Sequence, residues 1–132
     1  MNLAALLFDV ARRLPEAPAV TDDNDAWTYR EFARRISRLA GGLAARGLES
    51  GDRVILCMEN CAEFLEMMFA SWTAGLCAVP VNARLHVREV EHIAADSGAR
   101  LLIATPSLAR GLAQLVQSVE TLSSIIPTRS RT

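Results

Sequence analysis

The sequence contains no lysine. All 14 basic residues are arginine, set against 15 acidic ones, for a net charge of -1. Chemistry that needs an ε-ammonium, such as a Walker-type phosphate loop or a Schiff base, is therefore excluded for this chain alone. The near-neutral balance gives no electrostatic case for nucleic acid or for an anionic membrane. Histidine is scarce, with His86 and His92 only. The three cysteines, Cys57, Cys61 and Cys77, contain no Cys-x-x-Cys pair, which argues against a zinc site. An odd number of thiols, two of them in apolar runs expected to be buried (Cys57 and Cys77), reads as core packing in a reducing compartment. No apolar run approaches the roughly 18 residues of a membrane span. Residues 1–8 superficially suggest a signal peptide. They lack a basic start, Asp9 interrupts them, and Ala17-Pro18-Ala19 is a poor cleavage site. A cytoplasmic chain is expected.

What is present is enough apolar residue for one domain with a real core, 51% of 132 residues. Residues 51–85 organise it. Residues 53–58 form a short apolar run, as a strand buried on both faces does. Asn60 is then expected to cap a helix, with Glu63 reaching back. The helix carries Phe64, Leu65, Met67, Met68, Phe69 and Trp72 and stops at Gly75, which can adopt the left-handed conformation. A second apolar run, 76–81, follows at once. Strand, helix, strand with tight turns is a βαβ unit.

Either side of this unit the chain reads as alternating elements. Leu3, Leu6, Leu7, Val10 and Leu14 recur at helical spacing and Pro15 ends the pattern. The plain reading is a helix lying on the core. The sharper one is a membrane-surface helix with Arg12 and Arg13 at the headgroups, but Asp9 and Glu16 beside them make a weak basic face. Residues 19–21 and 27–29 flank Asp22-Asp23-Asn24-Asp25, which is expected to be a solvated hairpin turn. It lacks the spacing and glycine of a calcium loop. Thr28 and Glu31 make a capping-box pattern for a long helix, with Phe32, Ile36, Leu39, Ala40 and Leu43 on its inner face. Arg30, Arg34, Arg35 and Arg38 on that helix read as a solvated face or as an anion-binding one. Residues 86–97 predict an amphipathic helix with Val90, Ile93 and Ala94 inward, ending at Gly98. Residues 100–104 predict a third strand. Thr105 with Pro106 then opens a last helix, with Leu108, Leu112, Leu115, Val116 and Val119 inward. Residues 127–132 read as a frayed, disordered tail.

None of the chemistry-bearing combinations is convincing. The first strand is followed by Glu59-Asn60-Cys61, without the glycines a dinucleotide loop needs. His92, Asp96 and Ser97 lie on one predicted helix, where neighbours do not bridge as triad members must. No histidine partner is evident for any cysteine.

Recognition rests on many positions in order: Trp27-Thr28-Tyr29 and Glu31, Gly47, Gly51-Asp52-Arg53-Val54, Asn60, Glu63-Phe64, Ala74-Gly75, Val79-Pro80-Val81-Asn82, Arg84-Leu85 and Asp96-Ser97-Gly98. Over about three-quarters of the chain this resembles the N-terminal part of the adenylate-forming acyl-CoA synthetases, the AMP-binding ligase superfamily, of the fatty-acid–CoA ligase kind. Glu59 departs from the pattern, which often has Pro there. The resemblance implies an α/β fold, a three-layer parallel β-sheet flanked by helices, with a small N-terminal hairpin. It implies a full-length enzyme that uses ATP, Mg and coenzyme A to make an acyl-adenylate and then an acyl-CoA. In that family the phosphate loop, the acidic ribose contact and the catalytic lysine lie downstream of the matched region. Residues 1–126 are thus expected to be an incomplete N-terminal subdomain with no catalytic, cofactor-binding or metal-binding residue of its own, inactive alone. The expected partners are the remainder of the ligase, or a second copy through an exposed sheet edge, with residues 101–104 unprotected. The rival readings are a non-catalytic interaction module derived from the same fold and a small enzyme of unknown type.

Overall fold

Thr28 starts the longest helix because two local bonds close at once. Its Oγ1 accepts the Glu31 amide at 3.2 Å, and the Glu31 carboxylate accepts the Thr28 amide at 3.0 Å. The computed structural model that shows this describes residues 2–128, and the chain divides into two units. One comprises residues up to 50 together with 61–76. The other comprises 51–60 together with everything from 77 onward. Among the described residues no helix is long and apolar enough to cross a membrane.

The first unit holds α1 (Ala4–Arg13), the antiparallel hairpin β1 (Pro18–Thr21) and β2 (Ala26–Thr28), α2 (Tyr29–Ala44) and α3 (Ala62–Thr73). Phe32, Ile36, Ala40 and Leu43 form the buried stripe of α2, as the 3.6-residue period requires. An aromatic row fixes α2 against α3 and the hairpin: Trp27, Phe32, Phe69 and Trp72, with successive ring centroids 6.0, 5.8 and 5.1 Å apart. Arg35 lies 4.2 Å over the Trp27 ring and donates twice to Glu66, at 2.5 and 3.3 Å. That pair allows Glu66 to be buried on α3.

Two expectations for this unit need correction. The α1 face is rotated: Ala4 and Leu7 are buried, whereas Leu3, Leu6 and Leu14 are 54%, 58% and 54% exposed. Spacing alone identified a stripe of leucines, but the small Ala4 is the side chain the core takes in. Asn60 does not cap α3. The N-cap is Cys61, whose side chain makes no cap bond, and Asp22 Oδ2 accepts the Ala62 amide at 2.9 Å instead. A carboxylate brought by the hairpin supplies what the local sequence was expected to supply, so Asn60 stays exposed.

The second unit is a parallel sheet in the order β4-β3-β5-β6, with β3 at Arg53–Cys57, β4 at Cys77–Val81, β5 at Leu101–Ala104 and β6 at Ser124–Pro127. β3 and β5 are central, and Val54–Cys57 and Leu101–Ala104 are buried throughout, as strands covered on both faces should be. Ile55, Val90, Ala94, Leu102, Leu112 and Leu115 share one core cluster. β6 was not expected from its weak pattern. It overturns the idea that residues 101–104 lie open, since β5 is paired on both sides. Pro127 is the last residue of β6, and the Thr128 amide donates to the Ala104 carbonyl at 2.8 Å. The expected tail therefore cannot begin at 127, and residues 129–132 lie outside the described ones.

α4 (Val87–Ser97) starts with His86, whose Nδ1 accepts the Arg88 amide at 3.1 Å, while Glu89 accepts the His86 amide at 2.8 Å. It ends at Gly98, with φ +65°. Arg53 reaches this corner from β3 and donates to the Ser97 carbonyl at 2.6 Å. The single helix expected after Thr105 is two, α5 (Pro106–Leu112) and α6 (Leu115–Ser118). The break turns Val116 outward, 38% exposed, while Leu112, Leu115 and Val119 stay buried. Cys77 and Pro80 are exposed, because β4 is an edge strand rather than the buried one its apolar run suggested.

Candidate functional site

In a doubly wound sheet, ligands lie beyond the carboxyl ends of the strands where the winding reverses. Here the chain enters at β3, adds β4 on one side, then β5 and β6 on the other, so the reversal falls between β3 and β5. Met58, Glu59 and Asn60 follow β3, and Thr105 follows β5. Thr105 is extended, at φ -62° and ψ 149°, and its backbone carbonyl accepts from Leu108 and Ala109. It holds the N-cap position, as expected, yet its hydroxyl makes no cap bond. Among the described residues its Oγ1 is a buried side-chain oxygen without a hydrogen-bond partner. A buried hydroxyl left alone costs about 1–3 kcal/mol, so this atom is where a polar contact is owed.

Residues 58–60, 82–86 and 105–106 contain no glycine or lysine, the residue types of a Walker-type triphosphate loop, and Arg84 is the guanidinium among them. Among the described residues the cysteines are not activated as nucleophiles. The Cys57 thiol is buried and its pKa is raised by that burial. Cys61 is half-buried and raised for the same leading reason. His92 and Asp96 are exposed on α4, and the Ser97 hydroxyl is turned to the Ala94 carbonyl at 3.4 Å, so the three form no relay.

Asp22, Asp25 and Glu63 are the one group of carboxylates, among the described residues, whose oxygens come within 4.8 Å of one another. Asp22 Oδ1 accepts the amides of Asn24 and Asp25 at 2.8 and 2.7 Å, and Oδ2 takes the α3 amide described above. The arrangement ties the hairpin to the positive end of α3, which offsets part of the mutual repulsion. The turn is thus a helix anchor more than a solvated loop. No spacing rule could have found it, because its partner lies 40 residues away.

Of the four arginines on α2, Arg30 pairs with Glu16 at 2.9 Å and Arg35 with Glu66. Arg34 and Arg38 are exposed on the same face.

The AMP-binding enzyme model matches residues 7–131. The chain belongs to the AMP-binding enzyme family. It is 48% identical over 105 residues to feruloyl-CoA synthase from Amycolatopsis and 32% identical over 117 residues to the long-chain-fatty-acid–CoA ligase of Salmonella typhimurium. These segments take in 80% and 88% of this chain and 21% of each relative. Among solved structures, a benzoate CoA ligase from Burkholderia xenovorans superposes over 98% of this chain and 26% of its own, with a TM-score of 0.90 and 26% identity. The parallel sheet with its flanking helices and small hairpin is the N-terminal architecture of adenylate-forming ligases. The chain therefore spans about a fifth of the length of the curated relatives it matches.

Proposed function

We propose that this chain is the N-terminal part of an ATP-dependent acid–thiol ligase. The full enzyme would join a fatty acid or another carboxylic acid to ATP as an acyl-adenylate, release pyrophosphate, and pass the acyl group to coenzyme A in the cytoplasm. The match across residues 7–131 carries this reading, supported by close identity to an acyl-CoA synthase. This part supplies a buried sheet and a hairpin-anchored helix on which substrate-binding portions can be built. It supplies no phosphate cradle and no lysine, so it is inactive alone.

A chimera tests both halves of the proposal. The matched segment of the Amycolatopsis enzyme is replaced by the corresponding residues of this chain. ATP-dependent formation of the acyl-CoA by the chimera, with no pyrophosphate exchange by the 132-residue chain, is the expected result. A folded chimera without adenylation, or an isolated chain with it, overturns the reading. A second reading, a non-catalytic interaction module, is favoured by one observation: Arg34 and Arg38 stand exposed and without a partner among the described residues.

A further inference from the structure

A groove of about 610 Å³ runs between α1 and α2. From α1 it is lined by Phe8, Ala11 and Arg12, and from α2 by a ladder of Arg30, Arg34 and Arg38 over Ala33. Arg12 already holds Asp9 at 3.1 Å and Arg30 holds Glu16 at 2.9 Å. Arg34 and Arg38 hold nothing among the described residues, although like charges one turn apart repel. Their guanidiniums are the uncompensated charge of the groove.

We propose that the groove binds an extended acidic segment of a partner protein. The repeat distances agree. Arginines four residues apart on a helix rise about 6 Å, and alternate side chains of an extended chain are spaced about 6.6–6.8 Å apart. A segment with carboxylates at every second residue sets successive acids on Arg34 and Arg38. Its intervening side chains face the opposite wall, where Phe8 and Ala11 offer apolar surface. Guanidinium can take carboxylate in planar, two-bond geometry, and two guanidinium–carboxylate pairs, Arg12–Asp9 and Arg30–Glu16, already form on this rim. Two free charges are too few for a nucleic-acid track or a bilayer surface, where clusters of about four to eight basic residues are usual. Free phosphate would leave the apolar wall unused.

The binding holds whether or not the chain belongs to an active ligase, so its failure leaves the ligase reading intact. The probe is a fluorescein-labelled peptide of alternating Glu and Leu, followed by anisotropy against the full chain. Saturable binding is expected, weakened by salt and reduced about tenfold or more in Arg34→Ala/Arg38→Ala. Arg46→Ala, on an exposed residue beyond the groove, should bind as the parent does. Unfolding midpoints of all three proteins confirm that folding is unchanged. Equal binding of a peptide with Gln in place of Glu, or equal loss in Arg46→Ala, overturns the proposal. So does binding to anionic phospholipid vesicles or inorganic phosphate through Arg34 and Arg38 with none to the peptide.

Discussion

Asp22 accepts the amide of Ala62 at 2.9 Å, so one carboxylate closes the hairpin turn and caps the helix across 40 residues of chain. Its two oxygens serve three backbone donors. Asp22→Ala strands all three and removes the negative charge at the α3 N-terminus. A loss of about 1–2 kcal/mol is expected, the size of a lost cap, with Asp22→Asn keeping part of it. Asn60→Ala should leave stability within about 0.5 kcal/mol, as for exposed residues without a special role. Denaturant midpoints of the three variants decide it. A larger effect at Asn60 than at Asp22 would return the cap to the local sequence.

Arg35 is the second long-range tie, joining Trp27, α2 and α3. Its side chain is 31% exposed while that of Glu66 is 6% exposed. Removing the arginine strands a buried charge, so Arg35→Ala should cost about 2–3 kcal/mol, a buried-pair figure lowered for the exposed partner. Arg35→Ala/Glu66→Leu should recover much of that, because an apolar side chain suits the surrounding core. A double-mutant cycle on unfolding free energy measures the coupling. A coupling near zero would reduce this pair to a surface contact.

Local rules, more than long-range ones, were readable from the sequence. The Thr28–Glu31 box, the buried runs of β3 and β5, and the stop at Gly98 each depend on residues within a few positions of one another, and each is present. The cap on α3 and the exposed edge at β4 depend on partners that only the fold brings together. β6 was obscured because its flanks are polar and the strand is only four residues long. Thr105 could be placed at a helix start, but a hydroxyl left without a partner is a property of its surroundings, not of its neighbours in sequence.

Gly98 has φ +65°, and a Cβ built there would lie 2.7 Å from Arg53 Nη2. Gly98→Ala therefore meets two obstacles: left-handed strain of about 1–2 kcal/mol, and a clash with the movable end of a side chain. The clash disappears in Arg53→Ala/Gly98→Ala and the backbone strain remains. Destabilisation by Gly98→Ala should thus be smaller in the Arg53→Ala background than in the parent. Equal values would mean that Arg53 swings aside without cost.

The sheet edges carry the last prediction. The Cys77 amide donates to the Asp52 carbonyl at 2.8 Å, so by the two-residue alternation of a strand the amides of Cys77, Val79 and Val81 face β3. Ala78 and Pro80 face the other way, and Pro80 has no N–H to offer. The same parity holds at the opposite edge, where Thr128 donates to Ala104 and Pro127 faces out. Each outer strand thus places a proline where a second copy would need a donor, a device that discourages edge pairing. Pro80→Thr restores the donor on a β-branched residue suited to a strand. Sedimentation across a concentration series should show greater self-association for Pro80→Thr than for the parent, and Pro80→Thr/Ala78→Pro should reverse it. If Pro80→Thr sediments as the parent does at every concentration, the β4 edge is not where copies of this chain would meet.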